Sequence, residues 1–162
     1  MKELGIKSNG ENMINKYKLA MSSYPTGIVC VTIKSNNKKY NSIIANSFNS
    51  VSLKPSIVSW CLDKNSGKYN LFKNSKKQLI SILGSDQRKS VSQIAFKKEE
   101  ILKSEIEEIK KKSVFNFYTT KLKSLIIGDH CVIFLKVNKI STLRKKSALV
   151  YYQRKLLNFK NN

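Results

Sequence analysis

The polar side chains best suited to chemistry cluster directly after an apolar stretch in the first third of the chain. Residues 45–55 read ANSFNSVSLKP, in which Asn46, Ser50 and Ser52 stand in near alternation. Small hydroxyls, amides and backbone N–H groups that converge in one segment can hydrogen-bond the edge of a planar heterocycle. An ordinary polar strand and turn has the same composition, so the residues alone leave both interpretations open.

Two shorter polar segments lie further along the chain. Residues 63–68 read DKNSGK, and their backbone N–H groups, serine and lysines suit a phosphate group, with a solvated turn as the alternative. The third segment is Gly128-Asp129-His130. Its histidine either contacts a cofactor or caps a turn.

Several kinds of catalytic site are excluded by what the sequence lacks. It has no Walker loop, no GxGxxG and no GxSxG segment. His130 is the only histidine, so no histidine-based metal cluster is possible and no metal site is predicted. Asp129 is its immediate neighbour, a spacing that predicts poor geometry for orienting the ring in a hydrolytic triad. The cysteines are far apart in apolar runs and are predicted to be buried thiols: Cys30, Cys61 and Cys131.

The charge balance is extreme, with 31 basic residues against 10 acidic ones and a net charge of +21. Such a balance is typical of proteins that bind nucleic acid. However, the only arginines are Arg88, Arg144 and Arg154, and arginine rather than lysine makes bidentate contacts with bases and phosphates. The lysines accompany many Asn and Ile residues, as compositional drift would produce. Nucleic acid is therefore not expected as a partner, although a polyanion or an anionic lipid surface stays open.

Length and hydropathy indicate one domain in a soluble protein. With 162 residues, the chain is long enough to bury a substantial core without disulfides. No apolar run approaches the roughly 20 residues that span a bilayer, and the N-terminus does not resemble a secretory signal. We expect a cytoplasmic protein with a flexible segment at 1–10, a folded domain over 11–157 and a frayed end at 158–162.

Hydrophobic spacing predicts mainly strands, with helices at two places. A helix is expected over 11–22 and another, with a break or a mobile loop left open, over 90–112; a helical turn is expected over 68–74. Strands are predicted where β-branched and aromatic residues concentrate: 28–33, 40–48, 57–62, 79–83, 124–127, 131–137 and 149–152. This order is typical of a mainly β fold with helices (α+β), in the form of a small barrel.

Seven segments taken in order resemble the flavin reductase family. Residues 20–32 (AMSSYPTGIVCVT) are similar to its opening helix, turn and strand, and residues 45–55 follow its N-S-F-x-S-V-S-L-x-P segment nearly letter for letter. Further matches are Asp63 to Ser66 (D-K-x-S), residues 82–87 (ILGSDQ), Ile94-Ala95, Gly128-Asp129-His130 and residues 149–152 (LVYY). Together they span about residues 16–155.

The resemblance implies a fold, a chemistry and a set of contacts. The fold would be a split β-barrel of the FMN-binding type, Greek-key-like and homodimeric. The chemistry would be hydride transfer from NADH or NADPH to FMN or FAD, in some members to supply a partner monooxygenase. By position, the resemblance assigns the isoalloxazine and ribityl chain to Ala45, Asn46, Ser47, Ser50 and Ser52. It assigns the phosphate end to Asn65, Ser66, Ser85 and Gln87, and the nicotinamide side to His130, as the catalytic residue, with Tyr151 and Tyr152.

The sequence also departs from the family pattern. Ile44 stands where the family has a threonine, and Leu135 and Lys136 stand in place of a Gly-Glu pair. These departures affect reductase activity more than flavin binding. A split-barrel flavoprotein without free-flavin reductase activity is therefore one alternative, and a basic polyanion-binding module is the other.

Overall fold

The computed structural model describes residues 9–35, 38–97, 99–142 and 147–158. The described helices are α1 (Asn9–Ser22), α2 (Tyr69–Asn74), α3 (Arg88–Phe96) and α4 (Lys103–Lys112), with a 3-10 turn at Ser85–Gln87. The described strands are β1 (Thr26–Gly27), β2 (Val29–Lys34), β3 (Lys39–Ala45), β4 (Asn49–Ser52), β5 (Ile57–Asp63), β6 (Lys77–Ile82), β7 (Ile101–Leu102), β8 (Phe115–Ile127), β9 (His130–Thr142), β10 (Leu149–Tyr152) and β11 (Lys155–Asn158).

The strands form two antiparallel sheets. The larger has eight strands in the order β4-β5-β9-β8-β6-β2-β3-β7, and the smaller joins β1, β10 and β11. Strands β8 and β9 form a long hairpin around Gly128, whose positive φ of 59° suits glycine at the turn. The register of β5 on β9 places Asp63 opposite His130.

The large sheet curls around one hydrophobic core. Strands β2 and β5 are separated by three others in the sheet, yet Val31 and Trp60 belong to the same buried cluster. Trp60 packs edge-on against Phe72 of α2, with ring centroids 5.8 Å apart, and its indole N–H donates to Gln78 at 2.9 Å. Ser47, just after β3, stabilises this curvature because its hydroxyl accepts a hydrogen bond from the backbone N–H of Cys61 in β5 at 2.9 Å.

A second core lies on the outer face of the sheet, beneath α3 and α4. Cys30 and Leu83 pack there against Ile94 and Ile106 of the two helices. Strand β2 is consequently buried on both faces, since its alternate residue Val31 points into the barrel core. This double burial explains why β2 reads as a continuous run of apolar and β-branched residues.

The secondary structure differs from the sequence prediction in several places, among them the unpredicted strand β1 and the extension of β9 to Thr142. The strand predicted over 40–48 ends at Ala45, because the chain must leave the sheet for Ser47 to reach β5. The helix predicted over 90–112, in which a break was left open, is indeed divided into two helices, and the short strand β7 between them pairs with β3. Strand β8 begins nine residues before the predicted 124–127, at Phe115. Residues 155–158, which were not predicted as a strand, form β11 against β10.

The ends of the chain fall largely outside the described residues. Helix α1 begins at Asn9, within the segment predicted to be flexible, and residues 1–8 and 159–162 are not described. Among the described helices, none is long and apolar enough to cross a membrane. The prediction of a mainly β fold with helices is confirmed by this architecture.

Candidate functional site

A cleft opens where β3 and β5 end. It consists of a cavity of about 700 Å³ and a smaller one of about 290 Å³, and both are lined by Ile43, Ile44 and Ser66. The larger cavity continues along Lys68 to the C-terminal end of α3. The smaller one reaches His130.

The start of the Asn/Ser-rich segment lines the smaller cavity. Ala45 is buried there, and the side chain of Asn46 is exposed to solvent. Ser47 also lines it, but its hydroxyl is engaged: it accepts from the N–H of Cys61 and donates to the carbonyl of the same residue at 3.3 Å. Ser47 therefore holds the cleft wall in shape, and Asn46 offers a side-chain amide to a ligand.

The rest of that segment points elsewhere. Ser50 and Ser52 lie on the edge strand β4 and do not line either part of the cleft. Ser85 and Gln87 are also outside it. The Gln87 side chain is 1% exposed and holds α4 in place, since its oxygen accepts from the N–H of Gly84 and its amide donates to the carbonyl of Ile109.

The turn after β5 is internally braced. A carboxylate oxygen of Asp63 accepts from the N–H of Asn65 at 2.8 Å, and the Ser66 hydroxyl accepts from the N–H of Lys68 at 3.3 Å. Such side-chain acceptors stabilise a turn without any sheet or helix. Ser66 faces both cavities, whereas the exposed Asn65 lines neither. The N–H of Lys64 donates to the carbonyl of Asp129 at 3.0 Å and so ties this turn to the β8–β9 loop.

His130 is oriented by its neighbour. Its Nδ1 lies 2.7 Å from a carboxylate oxygen of Asp129, and this hydrogen bond holds the pKa of the Asp129 carboxyl below its usual value. The prediction that Asp129 is badly placed to orient the ring is wrong. Adjacent residues of a regular strand point to opposite faces, but Asp129 follows Gly128 in the tight turn, where that alternation does not apply.

The side chain of Lys68 lines the larger cavity and is partly buried there. Its ammonium donates to the carbonyl of Ser42 at 3.1 Å and to that of Lys97 at 3.0 Å, so it joins β3 to the segment after α3. Burial lowers the pKa of Lys68, with the positive charge of Lys97 acting in the same direction. The two carbonyls leave one of its three N–H donors for a ligand.

Three wall residues were not predicted as site residues. Lys68, Ile44 and Phe96 line the larger cavity, and the Phe96 side chain is 85% exposed at the end of α3. The sequence carried a partial signal for each, because Lys68 ends the DKNSGK segment, Ile44 precedes the Asn/Ser-rich segment and Phe96 follows Ile94-Ala95. Only the folded chain brings these three segments together.

The two C-terminal tyrosines lie apart from the cleft. Tyr151 pairs with Thr26 across the small sheet and packs on the outer core, to which Ile44 also contributes. The hydroxyl of Tyr152 accepts from the side chain of Gln153 at 3.3 Å. Neither tyrosine lines the two cavities.

The chemistry of the cleft suits a large planar cofactor. Its walls include the apolar side chains of Ile43, Ile44 and Phe96, and its polar groups include a carboxamide, hydroxyls, one imidazole and two lysine side chains. Cofactor pockets are mostly apolar with a few placed polar groups. The described residues contain no group of three or more His, Cys, Asp or Glu side chains that could hold a metal ion.

The fold and the cleft define a cofactor-binding α+β protein, and comparison with known proteins places it more narrowly. The family described as "Flavin reductase like domain" matches residues 21–160, so the chain belongs to that family. A flavin reductase of Pseudomonas putida is 24% identical over 144 residues, with 85% of each chain covered.

Solved structures show the same fold. The NADH:FAD oxidoreductase SgcE6 of Streptomyces globisporus superposes with a TM-score of 0.81 at 18% identity, covering 98% of this chain and 99% of its own. BorF, the flavin reductase component of a bacterial two-component tryptophan halogenase, gives 0.80 at 18% identity over 92% and 99%. The family and the oxidoreductase class predicted from the seven segments are confirmed; the individual site residues and the homodimer stay predictions.

Proposed function

We propose that the protein is an NAD(P)H-dependent flavin reductase that binds FMN or FAD in the cleft between β3, β5 and the end of α3. The observation that carries this proposal is the convergence of Asn46, Ser66 and Lys68 on one apolar-walled cleft within a chain of this family. SgcE6, which shares the fold, has been solved in complex with NAD and FAD fragments.

In this proposal the isoalloxazine edge meets the backbone and amide of Ala45 and Asn46, while Ser66 and Lys68 face the phosphate end. Ser47 shapes the wall rather than contacting the ligand, because its hydroxyl is already engaged with β5. Seven of the predicted contacts do not lie in the cleft of a single chain, and they stay predictions: Ser50, Ser52, Asn65, Ser85, Gln87, Tyr151 and Tyr152.

The protein's own part in the reaction is binding and orientation. A bound flavin supplies the hydride acceptor, so no protein nucleophile is needed. Ile44 and Phe96 exclude water from the ring faces, and Asn46 fixes the ring edge. His130, held by Asp129, lines the smaller cavity, where we place the nicotinamide.

We propose further that the protein acts as a cytoplasmic homodimer and delivers reduced flavin to a monooxygenase. Apolar side chains of α1 are more than half exposed, at 67% for Met13 and 63% for Tyr17, as an interface helix requires. Three free cysteines suit a reducing compartment. BorF is the flavin reductase component of a two-component tryptophan halogenase, and SMOB of Pseudomonas putida S12 is a styrene monooxygenase flavin reductase.

The test is the oxidation of NADH and NADPH with FMN, FAD or no flavin present. We expect nicotinamide oxidation that depends on added flavin and saturates with it. Tight flavin binding without nicotinamide oxidation would instead favour a flavoprotein that is not a free-flavin reductase. The departures from the family pattern at Ile44, Leu135 and Lys136 are the reason for testing this alternative.

A further inference from the structure

A second cavity lies on the outer face of the barrel, away from the proposed flavin cleft. It measures about 410 Å³ and opens between α4 and the four adjacent strands β3, β2, β6 and β8. Alternation along the strands points Thr32 and Lys34 of β2, Lys77 and Leu79 of β6, and Tyr118 and Thr120 of β8 into the same space. The volume is within the usual range for a small-molecule site.

This cavity is separate from the cleft but adjoins it through one hydrogen bond. Thr32 lines the outer cavity and Ser42 lines the cleft, and their hydroxyl oxygens are 2.9 Å apart between β2 and β3. The remaining polar groups of the inner wall are occupied as well. Gln78 is bonded to Trp60 and Phe72, and the Thr119 hydroxyl donates to the carbonyl of Gln78 at 2.7 Å. A ligand there would therefore meet an inner wall whose polar groups are already satisfied.

The rim of the cavity carries an excess of positive charge. Lys34, Lys77 and Lys110 line it together with a single carboxylate, Glu107. Glu107 is paired with Lys110, at 2.9 Å. Within the described part of the chain, the ammonium groups of Lys34 and Lys77 have no carboxylate within salt-bridge distance. Two adjacent cations without a counter-charge attract an anion.

The body of the cavity is aromatic and apolar. Tyr40 and Tyr118 are half-buried, and the floor is formed by Leu79 and Ile106. The Tyr118 ring already lies under two ammonium groups, those of Lys110 at 5.9 Å and Lys139 at 6.0 Å from its centroid. A single aromatic ring could pack edge-to-face on these tyrosines, whereas a bare inorganic anion would leave the apolar floor uncovered.

We propose that this outer cavity binds a monocyclic aromatic carboxylate, with its carboxylate between Lys34 and Lys77 and its ring against Tyr40 and Tyr118. The charge selects an anion, the tyrosines select a flat ring, and the volume of about 410 Å³ accommodates a ligand of this size. The site does not depend on flavin binding, because the cleft lies on the other side of the Thr32–Ser42 pair.

The test is calorimetric titration of the full chain, with FMN present at saturation and in its absence, using three probes. Benzoate carries the ring and the charge, benzamide carries the ring alone, and inorganic phosphate carries the charge alone. We expect benzoate to bind saturably at one site per chain, with the same affinity in both conditions, and to bind more tightly than either other probe.

Two lysine variants sharpen the assignment. Lys34→Gln and Lys77→Gln each remove one exposed ammonium, so we expect the fold to be retained. Each variant should weaken benzoate binding about two- to fivefold, the usual range for a partly exposed ion pair. Lys89→Gln, an exposed lysine of α3 outside the cavity, is the matched control and should change nothing.

Three results would overturn the proposal. Equal binding of benzamide and benzoate would remove the role of the lysines. If phosphate bound as tightly as benzoate, or if Lys89→Gln weakened benzoate binding as much as the two cavity variants, the binding would be general attraction of anions by a chain of charge +21. Displacement of benzoate by FMN would place the benzoate in the cleft itself, and would do so without disproving the proposed flavin reductase.

Discussion

At the scale of single residues, Lys68 shows how a charged group becomes part of a cleft wall. Its ammonium bridges the carbonyls of Ser42 and Lys97, so removing it separates two elements as well as deleting a charge. We expect Lys68→Met to lower the free energy of unfolding by about 1–2 kcal/mol, since hydrogen bonds to charged groups contribute on that scale. It should also weaken FMN binding.

Urea denaturation and FMN titration measure both effects. Lys64→Met is the control, because Lys64 lies in the same turn but its ammonium makes only an exposed contact with the carbonyl of Gly128 at 3.3 Å. An equal loss of stability in the two variants would show that the Lys68 bridge contributes nothing specific.

His130 supports a second prediction at this scale. Because His130 lines the smaller cavity and is held by Asp129, His130→Ala should lower turnover with NADH about tenfold, as loss of a positioning group does. Flavin affinity should be nearly unchanged. Steady-state kinetics and FMN titration separate the two quantities. Loss of flavin binding with intact turnover at saturating flavin would put His130 on the flavin side instead.

The sequence identified the main polar residues of the site but not the residues that form its walls. Asn46, Ser66 and His130 were predicted because each lies in a short recognisable segment, and all three line the cleft. Lys68, Ile44 and Phe96 could not be singled out, since what makes them neighbours is the packing of β3, the DKNSGK turn and α3. Gln87 is the opposite case. The family resemblance assigns it to the phosphate end of the flavin, whereas in the fold its amide donates to the carbonyl of Ile109.

At the scale of elements, the start of α4 provides a pH-dependent contact. The carboxylate of Glu105 accepts from the N–H of Leu102 at 2.9 Å and from the ammonium of Lys97 at 3.0 Å. The first of these bonds, supported by the second, lowers the pKa of Glu105 below 4.5. The folded state therefore gains stability from the ionised form above pH 4.5 and loses it as the pH falls through the lowered pKa.

We expect Glu105→Ala to reduce the free energy of unfolding by about 0.5–1 kcal/mol at neutral pH, as loss of an N-terminal cap does. The difference from wild type should vanish in acid. Denaturation across pH measures this, with Glu99→Ala, an exposed carboxylate just before β7, as the control. A difference that persists below pH 3 would contradict a role for the ionised carboxylate.

Element boundaries were predictable where the residue pattern fits a single kind of element and unpredictable where a helical spacing competes with a tertiary strand pairing. Strand β2 was predicted correctly because a continuous β-branched run buried on both faces has few alternatives. The segment 90–112 carried a helical spacing that left the position of any break open, and the pairing of β7 with β3 shows where the helix is divided. That pairing is a tertiary contact, which local spacing does not encode.

At the scale of the whole molecule, a net charge of +21 opposes association of two copies. The exposed apolar side chains of α1 and of the β8 end, including Ile126 at 55% and Ile127 at 62%, favour it. The proposed homodimer should therefore tighten as salt screens the repulsion, between about 20 mM and about 200 mM. Sedimentation at the two salt concentrations measures this. Dissociation on adding salt would show that ion pairs rather than apolar faces hold the copies together.

The central claim is that the cleft at the ends of β3 and β5 binds an isoalloxazine ring, and titration of FMN into the purified chain tests it most directly. We expect saturable binding of one FMN per chain, weakened by Asn46→Ala, which removes the amide at the ring edge, and unchanged by Asn70→Ala, an exposed amide of α2. Absence of binding by FMN and by FAD, or equal affinity in wild type and Asn46→Ala, would contradict it.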